Sequence, residues 1–327
     1  MKKTITIKEN ESHNRLDKIL VTQLPELTRS QIQKMIKHGI ILVNNKPAKV
    51  HEFLKAGDTI IIDSSEGMNP IKKPTTTETP MAIIGQPKII FENDDFIVIE
   101  KPSGMLTHPT DKGETDTLVD WLANLYPEIE KIGEYKYRGG IIHRLDREVS
   151  GVMVAAKSEA GFYHLKKQFK ERKVKKIYLA LVYGRIEDSN GEINLPIGRN
   201  KDGQFVAHPR QGKLKFLASD KIAKTKYKVL EYIKDYSLVE VKILTGRTHQ
   251  IRAHFYAIGH PILGDQIYKP KKKFFTFLRR KIKVINPKRI FLHSQQIGFY
   301  NLNNQWVEFN SSLPEILTEF INDQKNK

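Results

Sequence analysis

The sequence has no cysteine among its 327 residues. That excludes thiol nucleophiles, disulfide frameworks, iron–sulfur clusters and cysteine-ligated zinc. Any chemistry must therefore rest on oxygen and nitrogen groups. Long apolar runs are missing as well: nowhere do the roughly 18 consecutive apolar residues of a spanning helix occur, so no membrane association is expected. The opening residues are basic but reach Lys8 and Glu9 before any continuous apolar stretch, which argues against a secretory leader and for a cytoplasmic protein. There is no G-x-x-x-x-G-K or G-x-G-x-x-G loop and no internal repeat, which disfavours a nucleotide-cofactor enzyme.

Acidic residues are scarce, 37 against 55 Lys and Arg, and the net charge of +18 creates a field that draws in polyanions, nucleic acid above all. The surplus is clustered. Arg29, Lys34, Lys37, Lys46 and Lys49 lie in a stretch without acid, residues 166–176 hold seven basic residues against Glu171, and residues 269–289 hold ten against none. Each cluster alone could be a solvated face; three together favour polyanion binding.

Hydrophobic residues make up 39% of the chain, enough for a core in each of two domains at roughly 100–200 residues per domain. Leu16, Ile19, Leu20 and Leu24 recur at helical spacing before Pro25. Thr28 with Gln31 is a capping-box pattern, followed by the stripe Ile32, Met35, Ile36 and a stop at Gly39. With strands at 4–8, 40–43 and 59–62 these make a small α/β unit over residues 1–65. Residues 66–85 fall in a Pro/Thr/Ser-rich stretch without apolar period and read as a linker.

Residues 86–327 alternate strand-like runs (88–91, 96–100, 152–156, 177–183, 225–233, 238–244, 290–292) with helical patterns (116–126, 158–171, 247–258). Short connections between neighbouring strands point to an α+β class, a mostly antiparallel mixed sheet flanked by helices.

Three segments crowd polar residues into Gly-bounded loops, where function concentrates. In the first, Asp146 lies among His143, Arg144 and Arg147 just before an apolar strand. Positive neighbours would keep its carboxylate ionised, as a nucleophile requires; a structural ion pair tying loop to sheet is the other reading. In the second, Gly246 turns a strand into a helix bearing Arg247, His249, Gln250, Arg252 and His254, a place to hold phosphate or pair with a carboxylate. His249 and His254 are five apart and lack the one-face i, i+4 spacing of a zinc helix, so no metal is expected. The third, Lys101-Pro102-Ser103-Gly104 running to His108-Pro109, is a rigid turn that by itself reads as scaffold.

Taken in order, Lys101-Pro102-x-Gly104-x-x-x-His108-Pro109, His143-Arg144-Leu145-Asp146-x-x-x-Ser150-Gly151, Lys176-x-Tyr178-x-Ala180, Gly246-Arg247-Thr248-His249-Gln250-Ile251-Arg252 and His260-Pro261-Ile262-Leu263-Gly264-Asp265 resemble the motif series of the RluA-type RNA pseudouridine synthases over about residues 86–310. Arg15-Leu16-Asp17, the basic helix with Arg29, Lys34 and Lys37, and Ala56-Gly57-Asp58 are similar to the S-four-type RNA-binding domain that large-subunit members often carry at the N-terminus.

The resemblance implies an isomerase that converts uridines of ribosomal RNA, 23S RNA in particular, to pseudouridine without cofactor or metal. It implies Asp146 as the aspartate that adds to the nucleoside, at ribose C1′ or at the uracil ring. Tyr178 would pack on the target base and take part in the closing proton removal, Arg252 would partner the aspartate, and Arg144 would enter the space left by the flipped uridine. His143, Arg247, His249, Gln250, Lys101 and His108 are expected at the RNA. The expected partner is ribosomal RNA or a large-subunit assembly intermediate, met by a monomer. Val149 departs from the usual threonine, and the basic insert 269–289 matches no motif: it is an RNA-contacting element or a helix covering the core. A non-catalytic RNA-binding assembly factor is the alternative from another class, and metal-assisted RNA cleavage a third reading with thin support in Asp146 and Glu148.

Overall fold

The computed structural model describes residues 2–24, 27, 32–33, 35–36, 39–50, 52–63, 85–110, 114–134, 138–200, 202–208, 220–270 and 289–326. Contacts divide the chain into two compact units, a smaller one up to Pro80 joined by Thr110–Glu114 and a larger one made of the rest.

In the smaller unit, β1 (Lys2–Thr6), β2 (Ile41–Val43), β3 (Lys46–Pro47) and β4 (Thr59–Asp63) form an antiparallel sheet in the order β1-β4-β2-β3. Helix α1 (Leu16–Gln23) packs Leu16 and Leu20 against Ile41 and Ile60 of the sheet in one apolar cluster. The expected second helix is seen at Ile32, Gln33, Met35 and Ile36, all helical. Buried Asp17 explains the Arg15-Leu16-Asp17 signature: it accepts a two-pronged bond from Arg15, at 3.0 and 2.9 Å, and another from Gln33 Nε2 at 2.7 Å, tying the two helices together. Arg29, Lys34 and Lys37 lie outside the described residues.

The larger unit is built on one sheet. Its strands are β5 (Lys88–Glu92), β6 (Phe96–Lys101), β7 (Ser150–Ala156), β8 (Lys175–Tyr183), β9 (Asn190–Ile193), β12 (Thr225–Ile233), β13 (Tyr236–Ile243), β14 (Leu292–Tyr300) and β15 (Trp306–Asn310), while β10 (Ile197–Arg199) and β11 (Phe205–Ala207) form a separate ribbon. The sheet order is β5-β6-β7-β14-β8-β13-β12-β9, with β15 on β14; every pair is antiparallel except β7 with β14. This is the mostly antiparallel mixed sheet that the short connections predict.

Central β7 is apolar at nearly every position and buried throughout, because both faces of the sheet are covered. Met153 and Ala155 face a core shared with Leu118 and Leu122 of α2 (Leu118–Leu125), whereas Val152 and Val154 face Leu165 of α3 (Glu159–Glu171). Each helix starts on a side-chain cap: Thr117 with Asp120 in a capping box for α2, and Ser158 Oγ accepting from the Gly161 amide at 3.0 Å for α3. Helix α4 (Gln250–Ala257) adds Ile251 and Phe255 to the first core, and α5 (Glu315–Asn326) packs Leu317 and Ile321 near Phe291.

Two expectations are corrected. The strand expected at 290–292 runs from Leu292 to Tyr300. Its polar stretch His293-Ser294-Gln295-Gln296 breaks the apolar pattern, yet His293 is buried between Ser150 Oγ, 2.9 Å away, and the Ser311 carbonyl at 3.1 Å. The helix expected at 247–258 begins only at Gln250, so Arg247 and Thr248 belong to the preceding turn. Of the basic insert, residues 271–288 lie outside the described residues, and its last member Arg289 is no surface charge: it is buried and donates to Ser150 Oγ at 2.7 Å. Among the described residues no helix is long and apolar enough to cross a membrane.

Candidate active site

The loop before β7 is held in place by the loop after β6, residue by residue. Thr107 Oγ1 donates to the Leu145 carbonyl at 2.9 Å and accepts from the Leu145 amide at 3.3 Å. The Gly104 amide donates to the Arg147 carbonyl at 2.7 Å, and Ser103 Oγ to the Glu148 carbonyl at 2.6 Å. Gly104 must be glycine, since its φ of +92° is a conformation that side chains rarely adopt. Residues 145, 147 and 148 are thus all fixed from one side, and the side chain between them, Asp146, is aimed into a cleft. Gly151 closes the arrangement from below: its φ is +118°, and a Cβ there would meet the Ser294 carbonyl oxygen at 2.2 Å.

The cleft, about 560 Å³, is lined by Asp146, Tyr178 and Arg252 together with Ile142, Ile243 and Leu292. Arg252 is 1% exposed and divides its guanidinium between two tasks. Nε and Nη2 form a fork on Asp265, at 2.7 and 2.9 Å, while Nη1 reaches Asp146 at 3.3 Å and Glu148 at 3.2 Å. Burial opposes its charge, but the Asp265 bonds and the three nearby carboxylates hold its pKa above the ordinary value. Asp265 in turn is raised by burial and lowered more by Arg252 and by the amides of Ile267 and Tyr268, so it stays below the usual carboxylate range. A permanently charged arginine, preset by a buried acid, therefore faces a carboxylate that is 16% exposed.

Tyr178 is buried on β8 next to the cleft, and burial pushes its phenol pKa up, with a lowering hydrogen bond to Ser294 and a raising field from Asp146. At neutral pH the phenol keeps its proton. Basic residues Lys166, Lys170, Arg172 and Lys176, from the second charge cluster, form a wall of the same cleft. Burial brings the Lys176 amine down to about 8. Arg144 is exposed at the rim, its Nη1 3.5 Å from His108 Nε2. Arg247 is also exposed in the lining, with Nε donating to the Ile222 carbonyl at 3.1 Å.

Several residues expected at the RNA turn inward instead. Lys101 is fully buried and donates to the carbonyls of Pro102 and Met105, both at 2.8 Å, and of Arg147 at 3.4 Å; burial brings its amine down to about 7 against the raising field of Asp146. Gln250 is buried, with Oε1 accepting from Thr245 Oγ1 and the Arg247 amide and Nε2 donating to Lys224 O and Thr225 Oγ1, so it builds the turn. His143 lines the cleft, yet its ring stacks on Phe169 at 4.7 Å and its Nε2 accepts from the Val154 amide at 3.1 Å; burial, helped by Lys176, brings its pKa down to about 3. His108 is buried with Nδ1 2.9 Å from the Pro109 carbonyl oxygen.

The two histidines of the second segment diverge. His254 is buried between Thr225 Oγ1 at 2.9 Å and Leu195 O at 2.8 Å, while His249 faces the cleft with Nε2 3.9 Å from Asp146. The sequence gives no role to Asp265 or Tyr268, and Glu148 enters it only as thin support for a metal-assisted reading. Asp265 was visible as the last residue of the fifth motif, but nothing along the chain joins it to Arg252.

Comparison with known proteins follows the same division. Residues 95–257 match the RNA pseudouridylate synthase family, and residues 14–60 match the S4 domain. An uncharacterized RNA pseudouridine synthase of Aquifex aeolicus is 36% identical over 306 residues, covering 92% of this chain and 90% of that protein. A protein of Nitrosomonas europaea named ribosomal large subunit pseudouridine synthase D is 34% identical, with 81% of this chain and 71% of that one aligned. Among solved structures, human RNA pseudouridylate synthase domain containing 1 superposes with a TM-score of 0.53 and 27% identity, over 74% of this chain and 96% of that one.

Proposed function

Because the chain belongs to the RNA pseudouridine synthase family, we propose that it isomerises specific uridines of large-subunit ribosomal RNA, 23S RNA in particular, with Asp146 as nucleophile. The observation that carries this reading is the position of Asp146: it is fixed through its neighbours, open to the cleft and paired with a buried arginine that is always charged. Such a carboxylate is directed at the cleft, as an attacking group must be. It adds to the nucleoside at C1′ or at the ring, the C1′–N1 bond breaks and the uracil turns, C5 bonds to C1′ as Asp146 is released, and the proton lost from C5 is balanced by one gained at N1. Substrate and product are isomers, so no redox carrier enters the balance.

A stacked uridine hides its glycosidic bond, and extruding it costs roughly a few kcal/mol. Tyr178 serves as the platform for the freed base, a contact worth ~1–3 kcal/mol, and Arg144 at the rim fills the vacancy, its planar guanidinium suited to stacking. Residues 1–65 supply affinity, 66–85 link, and 86–327 do the chemistry. The ribosomal assignment draws support from the large-subunit names of relatives, the S4 match and the net charge of +18.

The test is a map of pseudouridines in ribosomal RNA from cells with and without this protein, with Asp146→Asn as complement. The substitution keeps shape but removes the anion, so RNA binding should survive and turnover should vanish. Substantial pseudouridine from the Asn variant would reject Asp146 as nucleophile.

A further inference from the structure

His249 sits in the left-handed backbone region, with φ 55° and ψ 23°, at the residue before α4. For a non-glycine residue this is a strained position that persists only where the surroundings impose it. What the strain achieves is the aim of the imidazole. Nδ1 lies 3.2 Å from the Tyr268 hydroxyl, and that hydroxyl donates its one proton to the Phe205 carbonyl at 2.6 Å. Toward His249 the tyrosine can therefore only accept, which puts the imidazole proton on Nδ1 and leaves the Nε2 lone pair open. Edge contacts with the rings of Phe205 and Tyr268, both with centroids at 5.8 Å, hold the plane.

Nε2 faces Asp146 Oδ2 at 3.9 Å, too far for a hydrogen bond, and among the described residues no donor reaches it. Burial lowers the His249 pKa, Asp146 raises it and Arg252 lowers it, with smaller raising fields from Glu148 and Asp265, and the sum is a neutral ring at neutral pH. The Nε2 lone pair thus faces a gap beside Asp146 without a donor, and a hydroxyl about 2.8 Å from Nε2 would give it its one proton.

We propose that His249 Nε2 is the acceptor for the 2′-hydroxyl of the target nucleotide, and that His249 is the residue by which this site prefers RNA to DNA. The inference rests on the reading of Asp146 as nucleophile, in the form where its carboxylate meets C1′. The 2′-oxygen is two bonds from that carbon, so a hydroxyl there enters the gap as the carboxylate approaches. The 2′-hydroxyl is also the feature that separates the two nucleic acids at a single site.

The experiment is a cycle on the full chain. Ribosomal RNA is assembled by ligation with either uridine or a single 2′-deoxyuridine at the mapped target, and single-turnover rates are measured for the wild type and for His249→Asn. Asparagine tolerates the left-handed backbone and is too short to reach the gap. Losing the 2′-hydroxyl alters the intrinsic lability of the glycosidic bond equally for both proteins, so that effect cancels in the ratio of ratios. The ribose preference of the wild type should exceed that of His249→Asn by about 2- to 12-fold, the worth of one neutral hydrogen bond. Tyr268→Phe, which frees the proton to move to Nε2, should lower the preference in the same direction. Equal preferences in wild type and both variants would overturn the proposal while leaving Asp146 as nucleophile, which the Asp146→Asn measurement judges separately.

Discussion

Arg252 and Asp265 form a fully buried fork, 2.7 Å from Nε to Oδ2 and 2.9 Å from Nη2 to Oδ1, and this pair decides where the third guanidinium nitrogen points. Removing one partner of a buried pair costs about 3–5 kcal/mol where the other charge is left alone, an upper bound here because Arg252 keeps Asp146 and Glu148. Asp265→Asn is expected to lower the unfolding free energy measured in urea by at most that amount and to cut pseudouridine formation further, because Nη1 is then no longer preset on Asp146. The pH sign follows from a carboxylate held low in the folded state. Its contribution is present above the unfolded value of 3.8 and is lost as pH falls through the lower folded pKa. Acid unfolding of the Asn variant should therefore lack that component.

Thr107 touches no candidate substrate atom, yet it makes both hydrogen bonds that fix Leu145, the residue before Asp146. Thr107→Val keeps the volume and leaves two buried backbone groups unpaired, at about 1–3 kcal/mol each. Misplacement of a reacting group by about 1 Å can cost 100-fold in rate. The expected result is a fall in kcat of ~10- to 100-fold with KM nearly unchanged; a variant that loses KM and keeps kcat would show that the clamp does not position Asp146.

Lys101 gives a second pH dependence, of the same sign as Asp265's acid limb but in an alkaline window. Burial brings its amine down to about 7 in the fold from 10.5, so between those values the unfolded chain binds the extra proton. Stability therefore rises with pH across that window. Chemical denaturation between pH 7 and 10 should show this slope in the wild type and a smaller one in Lys101→Met, and equal slopes would mean that the amine titrates elsewhere.

What the sequence makes legible is whatever is local or periodic. The apolar run of β7, the capping residues Thr117 and Ser158, and the Gly-bounded loops are each written in adjacent residues; two of those loops line one cleft, and the third, at 101–109, holds the first in place. What it hides is burial bought by distant partners. Lys101 and Gln250 look like nucleic-acid ligands because they are polar, and their inward turn depends on carbonyls of other loops, Arg147 and Lys224 among them. The polar half of β14 hides for the same reason: His293 and Ser294 are satisfied by Ser311, Ser150 and Val152, residues far along the chain. Asp265 is 13 residues from Arg252 with no pattern linking them, and only folding brings them together.

The wall of the cleft formed by Lys170 and Arg172 is exposed, and neither residue belongs to the nucleophile's own hydrogen-bond network, so its contribution can be separated from the chemistry. If these cations meet RNA phosphates, each contact releases counterions and steepens the salt dependence of binding, by about 0.7 in the log–log slope for a single strand. Lys170→Ala with Arg172→Asn removes both charges, and asparagine suits the left-handed backbone of residue 172, whose φ is 61°. The slope of log affinity against log salt should fall by about 1.4, with affinity weakened for target and non-target RNA alike. Single-turnover rate at saturating RNA should stay near wild type, because Asp146 and Arg252 are untouched. An unchanged slope would place the RNA backbone off this wall, and a lost saturating rate would mean that these residues orient the nucleotide as well as attract it.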